Sequence, residues 1–320
     1  MAVQAGTVVR PEALWRVRLR LLRRSFSANW VIFKESRIGV VGLVIIAFFG
    51  LLAISHPILM ATIWDRNIYD PQTGYDLRIS ENPAPPSWTH WLGTDANGRD
   101  VFSQLSYSAR SEFFLGIMAA FITVFIGTTV AAVAAYYGGF VDTFFMRVAD
   151  VGLLFPVIAF FIVLGALFKN AFNIYNFALI LGLLGGFGGI TIVLKSQALS
   201  IKVKPFVDAA RISGGSSFHI IFSHIIPNLL PLSFLYMMFS VTSAIFSEAV
   251  LSFFGIVNLR MSWGIMVEMA NINGYLNGDA ILRAPWLFFP ASVSITALCA
   301  AFYLVGRGMD EIVNPRLRKI

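Results

Sequence analysis

The chain has 320 residues, of which 57% are hydrophobic and only 13% charged, with a mean hydropathy of +0.75. A soluble domain averages about 45–50% apolar and about a quarter charged residues, so this composition excludes intrinsic disorder, a secreted disulfide scaffold and most cytosolic enzymes. A single cysteine, Cys299, forms neither an internal disulfide nor a multi-cysteine metal site, and the net charge of +7 is read as the basic flanks of a membrane protein and not as a nucleic-acid surface.

In chain order, residues 1–37 form a basic tail. On a helical wheel of residues 13–26, Arg16, Arg20, Arg23 and Arg24 lie opposite Trp15, Leu19, Leu22 and Phe26. That pattern fits either a helix lying on the inner leaflet or a solvated tail that sets topology. The first apolar run, 38–60, is too long for a signal peptide's core and lacks a small-residue cleavage site, so it is expected to stay as the first span. Residues 61–112 are expected to be an external loop. Five further windows follow within 113–307: Phe113–Tyr137, about Phe144–Phe168, about Tyr175–Leu194, about Leu229–Gly255 and about Trp286–Gly306. Each approaches or exceeds the roughly 20 residues that carry a helix across about 30 Å of hydrocarbon. The expected fold is an all-α integral membrane protein with six transmembrane helices. Lys and Arg gather in residues 1–37, around Arg147, at Lys195, Lys202, Lys204 and Arg211, and at Arg307, Arg316, Arg318 and Lys319. By the positive-inside bias, both termini and the tail 308–320 are then cytoplasmic.

The cytoplasmic loop 195–228 reads as two short helices separated by a glycine pair. Pro205 suits a first helical turn, and Asp208 in that turn complements the helix dipole. Ala209 and Ala210 are small enough to admit another surface, with Arg211 beside them. Gly214-Gly215 ends the helix, Ser216-Ser217 can cap the next, and Pro227 marks the start of the fifth span. Such an element can transmit motion to a docked partner or lie as an amphipathic linker on the headgroups; composition leaves both open.

Asp208-Ala209-Ala210, three residues, Gly214, nine residues, then His224-Ile225-Ile226-Pro227 resembles the coupling signature of ATP-binding-cassette importer permeases, which is Glu-Ala-Ala, three residues, Gly, nine residues, Ile-x-Leu-Pro. Other stretches resemble the dipeptide and oligopeptide branch of that family. They are Leu92-Gly93-Thr94-Asp95 with Gly98-Arg99-Asp100, Gly138-Gly139-Phe140-Val141-Asp142 with Arg147, Asp150 and Phe155-Pro156, and Asn314-Pro315-Arg316-Leu317-Arg318. The likeness runs from about residue 90 to 320 and is nearest the second of the two permease subunits. It implies the type I importer permease architecture and no catalysis by this chain. It also implies a second homologous permease, two cytoplasmic ATPases (separate or fused) that hold ATP and Mg, and an external solute-binding protein. The prokaryotic cell membrane is the implied location. Substrates of the branch are di- and oligopeptides, while relatives carry oligosaccharides or nickel chelates. Asp208, Ala209, Ala210, Arg211, Gly214, Gly215 and Pro227 become the expected ATPase-coupling residues.

The residues themselves agree on chemistry. No Gly-x-x-x-x-Gly-Lys-Ser/Thr loop is present, and His56, His90, His219 and His224 make no metal-ligand motif, so no cofactor or metal is expected on this chain. The Gly-x-x-x-Gly spacings within Gly182–Gly189 suit close packing against a neighbouring span. Asp142 is expected to cap the third span, Arg147 and Asp150 to pair on one helix face, and Asp95, Arg99 and Asp100 to lie on a polar surface or beside a gate. Glu248 is the one acid read well inside a span, where a charged carboxylate is costly. It either lines a translocation pathway with Ser247 and Ser252 or makes a structural hydrogen bond. An ion-coupled secondary transporter remains the alternative from another class, although no internal repeat supports it.

Overall fold

The computed structural model describes residue 27 and residues 30–167, 173–257 and 259–313. The basic wheel at 13–26 and the motif at 314–318 lie outside them. The first span is α1 (Arg37–Thr62), followed by the short α2 (Arg66–Tyr69). The central element is α3 (Val101–Tyr137), which starts well before its apolar window because Asp100 caps it, accepting the backbone N–H of Ser103 at 2.6 Å. At about 1.5 Å per residue it is about 55 Å long, more than the hydrocarbon needs. The third window is broken: α4 (Gly139–Leu154) and α5 (Val157–Leu167) meet at 76°. Pro156 is the cause, since it holds Phe155 extended (φ −69°, ψ 125°) and offers no N–H to continue the helix. The fourth is also bent, α6 (Ile174–Gly186) meeting α7 (Gly189–Lys202) at 47° across Phe187-Gly188. These two breaks pack on each other. A Cβ on Gly152 would stand 1.8 Å from the Phe187 carbonyl oxygen, so only glycine admits that crossing.

After α8 (Pro205–Ile212) comes α9 (Ser217–Phe253), which runs unbroken for 37 residues. The fifth span therefore does not begin at Pro227. The helix passes through a π-helical turn at Ile221–Ile225, which loosens the ladder ahead of the donor-less Pro227. A helix packed into the core, α10 (Trp263–Ile272), and the short α11 (Ala280–Arg283) precede the last span, α12 (Phe289–Val313). Among the described residues four helices are long and apolar enough to cross a membrane, or six when each bent pair counts as one span.

Neighbouring residues fix the directions. Gly116 lies against Val241 and Ile245, and Thr128 Oγ1 is 2.8 Å from Ser233 Oγ, so α3 and α9 are antiparallel. Gly182 packs on Ile122 and Gly186 on Ile126, placing the glycine spacing of α6 against α3 of the same chain. Gly39 of α1 touches Gly308 of α12, so both ends of the described chain lie at one end of the bundle. Outward faces remain apolar, with Val44, Phe48, Leu51, Phe121, Phe125, Leu154 and Phe246 exposed. In a water-soluble protein that would be a liability; here it is the belt that lipid covers.

Candidate functional site

Three polar centres are strung along the α3–α9 axis. At the C-terminal end of α3 the loop 203–216 projects from the bundle. Pro205 sits in the first turn of α8 and Asp208 pairs with Arg211 at 3.1 Å. The helix is closed by Gly214 N–H donating to the Arg211 carbonyl (3.1 Å) and Gly215 N–H to that of Ala210 (3.0 Å), with Gly214 at φ +80°. Ser216 then caps α9, its side chain accepting the His219 N–H at 3.2 Å. Buried Val207, Ile220, Ile221, Ile225 and Leu229 anchor this knuckle on Ala132 and Ala135 of α3 and on Ala198 and Ile201 of α7. Lys202 Nζ adds a bond to the Ala135 carbonyl at 2.9 Å. The opposite face is bare: Ala209 and Pro227 are exposed, Ile212 is 87% and Phe218 70% exposed. An apolar tip on a firmly seated two-helix knuckle suits docking to a protein more than lying free in water.

At mid-bundle, Glu248 is 1% exposed and Ser252 is fully buried, with Ser252 Oγ donating to Glu248 Oε1 at 2.5 Å. Its neighbour is a second acid that the sequence reading missed. Glu112 on α3, also 1% exposed, lies with its carboxyl against that of Glu248. Among the described residues neither Glu112 oxygen nor Glu248 Oε2 completes a hydrogen bond, although the Trp263 backbone N–H lies close to the Glu112 carboxyl. Glu112 escaped notice because it directly precedes the Phe113–Tyr137 window; the helical register to Gly116, which meets Val241 and Ile245, would have aimed it at α9. Ser247 points elsewhere. With Ser240 and Ser243 it lines a separate cavity of about 350 Å³ shared with Thr123 and Tyr236. Glu248 and Ser247 therefore do not form one polar track.

The N-terminal end of α3 is covered by the loop 63–100. Asp95, Arg99 and Asp100, expected on a polar surface or beside a gate, are buried. Asp95 is the hub: Oδ1 accepts the backbone N–H groups of Asn97 and Arg99, while Oδ2 takes Arg99 Nε at 2.8 Å and Gln104 Nε2 at 2.9 Å. His90 is clamped between Asp100 (Nδ1 to Oδ2, 2.8 Å) and Asp76 (Nε2 to Oδ2, 3.4 Å). The hydrogen bond to Asp100 is the largest influence holding the His90 proton affinity above its ordinary value, against a burial cost. Asp76 is pushed below the usual carboxylate range, first by the Arg78 backbone N–H it accepts.

The remaining expected residues are plainly placed. Asp142 lies in the first turn of α4 but does not cap it; the cap is Gly138, and Asp142 instead pairs with Lys195 of α7 at 2.6 Å. Arg147 and Asp150 approach to 3.6 Å on the surface, both largely exposed, where such pairs contribute little. No cluster of three metal-ligating side chains occurs among the described residues.

Residues 123–319 match the family described as "Binding-protein-dependent transport system inner membrane component". The chain belongs to that family. It is similar to the dipeptide transport system permease protein DppC of Bacillus subtilis (strain 168), with 33% identity covering 91% of this chain and 85% of the relative. It is also similar to the oligopeptide transport system permease protein OppC of the same organism (32%, covering 90% and 88%). The OppC of Haemophilus influenzae gives 32% over 89% and 87%. As an inner membrane component of a transport system, the chain is a multi-pass protein of the cell membrane and an importer permease subunit. The family match begins at Thr123, so it takes in the knuckle and Glu248, while Glu112 and the outer cover precede it.

Proposed function

We propose that this permease forms half of the translocation pathway of an ATP-driven importer of di- or oligopeptides. The knuckle carries the reading: Pro205–Ile212, the Gly214 turn and the start of α9 are anchored from behind and apolar in front. A partner ATPase docks there, against Asp208, Ala209, Ala210, Arg211, Gly214 and Gly215, while Pro227 sits where the knuckle joins the span. ATP and Mg belong to the ATPase subunits, separate or fused, because this chain has no phosphate loop. The basic residues near the knuckle support a cytoplasmic position for it and for both termini. The loop 63–100 then faces an external binding protein that delivers the peptide. A second, homologous permease completes the pathway, with Ser247 on the cavity side and the Glu112–Glu248–Ser252 cluster holding α3 to α9. The relatives' printed peptide specificities support the cargo.

Reconstitution in proteoliposomes tests this reading. The chain with its permease partner, ATPases and binding protein should take up peptide only with ATP, and the chain alone should neither hydrolyse ATP nor transport. Uptake by the chain alone under an ion gradient would replace the proposal with ion coupling.

A further inference from the structure

Next to the outer cover, a cavity of about 690 Å³ opens between α5, the 255–261 segment and α10. That volume lies within the roughly 300–1,000 Å³ range of small-molecule sites. Among the described residues three charged side chains line it: Arg99, Arg260 and Glu268. Both arginines are already committed, Arg99 to Asp95 at 2.8 Å and Arg260 to Asp70 at 2.5 Å. Arg260 still has N–H groups to spare, since one carboxylate cannot use all five, whereas Arg99 Nη1 donates to the Gln72 carbonyl at 3.4 Å and its Nη2 is buried out of reach of the cavity. Glu268 is different. It is half-buried, and it has no hydrogen-bond or ion-pair partner among the described residues. The backbone makes room for it: a Cβ on Gly255, which sits at φ +66°, would stand 2.7 Å from Glu268 Oε1. Gly165 and Ile256 supply an apolar wall opposite.

A carboxylate with no partner among the described residues, beside two neutralised guanidiniums, is complementary to a ligand with a cation at one end and acceptors behind it. We infer that this cavity is a subsite for the N-terminal ammonium of the transported peptide. Glu268 holds that ammonium, and the spare N–H groups of Arg260 meet peptide carbonyl or carboxylate oxygens. The inference rests on the peptide reading above and adds a contact that selects for a free amino terminus within the permease itself. Charge-assisted bonds of this kind are the stronger class, and losing one shifts binding by about tenfold.

The test uses the complete importer in proteoliposomes, with a dipeptide and its N-acetylated form each supplied at saturating binding protein. The ratio of free-amine to acetylated uptake is the readout, and comparing variants with the wild type cancels the binding protein's own preference. Glu268→Gln should lower that ratio about tenfold, and Glu268→Lys further still, with co-purification of the partner subunits and Tm retained. A ratio unchanged in Glu268→Gln, or already near one in the wild type, overturns the subsite while leaving peptide import standing. Absence of any ATP-dependent dipeptide uptake by the wild type overturns both. Ala166→Leu, which fills the cavity and leaves Glu268 in place, gives an independent arm: peptide uptake should fall, and normal uptake contradicts the cavity's role.

Discussion

The turn at Gly214 gives a prediction whose sign depends on conformation and not on size. Gly214 sits at φ +80°, and no atom lies within 4 Å of where a Cβ would stand. Any substitution is therefore charged only the cost of the left-handed backbone, with no clash added. That cost is about 1–2 kcal/mol for an ordinary L-residue, a factor of about 5–30 in the population of the closed turn. Asn visits this region several-fold more readily, and a β-branched side chain is a genuine outlier there. Uptake by the whole importer in proteoliposomes, read beside co-purification of the ATPase, should therefore rank wild type, then Gly214→Asn, then Gly214→Ala, then Gly214→Val. Asn is larger than Ala, so a ranking that follows volume, with Ala above Asn, would refute the conformational argument. Wild-type transport by Gly214→Val would remove the turn from coupling altogether.

Three further outcomes follow from the packing and the charges. Glu248→Gln places an amide donor against Glu112 and should keep the Tm of the assembled complex, whereas Glu248→Ala leaves Glu112 with no donor from that side and should lower it; equal Tm values would show that the pair does not hold α3 to α9. Gly152→Ala drives a Cβ to 1.8 Å from the Phe187 oxygen and should destabilise by about 1–3 kcal/mol or more, read as loss of folded protein in detergent; wild-type yield and Tm would mean the two breaks do not pack as described. Because the folded His90 binds its proton more tightly than usual, its stabilising share is full below its ordinary value of about 6.5 and is lost as pH rises through the higher folded value. Trypsin cleavage within 63–100, taken relative to His90→Asn at each pH so that the protease's own dependence cancels, should accelerate towards alkaline pH; a flat ratio would exclude the clamp.

Much of this was legible because the signals were local. Pro205, Asp208, Gly214 and Ser216 each carry a rule that acts within one turn, so the knuckle could be read residue by residue. The apolar windows likewise located the spans, since hydrocarbon thickness sets their length. What escaped was whatever depends on a neighbour distant in sequence. Glu112 looked like a loop residue until α3 proved to begin at Val101, and its partner lies on a helix more than a hundred residues away. Phe155-Pro156 reads only as a family likeness inside one continuous window, and the bend there takes its place from the break at Phe187-Gly188 that crosses it. Asp142 resembled a cap by position, yet Lys195 of another helix claims it. In the outer loop, Asp95, Arg99 and Asp100 read as lying on a polar surface or beside a gate, because the bonds that bury them come from Gln72, His90 and Gln104, which composition does not bring together.

The central claim is that the knuckle around Ala209 meets an ATPase on the cytoplasmic side. Ala209→Cys in a Cys299→Ser background, treated with a short bifunctional thiol reagent in membranes holding the whole importer, tests it directly. The account predicts a crosslink to the ATPase subunit and protection from a membrane-impermeant thiol reagent added outside. Labelling from outside, or a crosslink to the external binding protein, would contradict it.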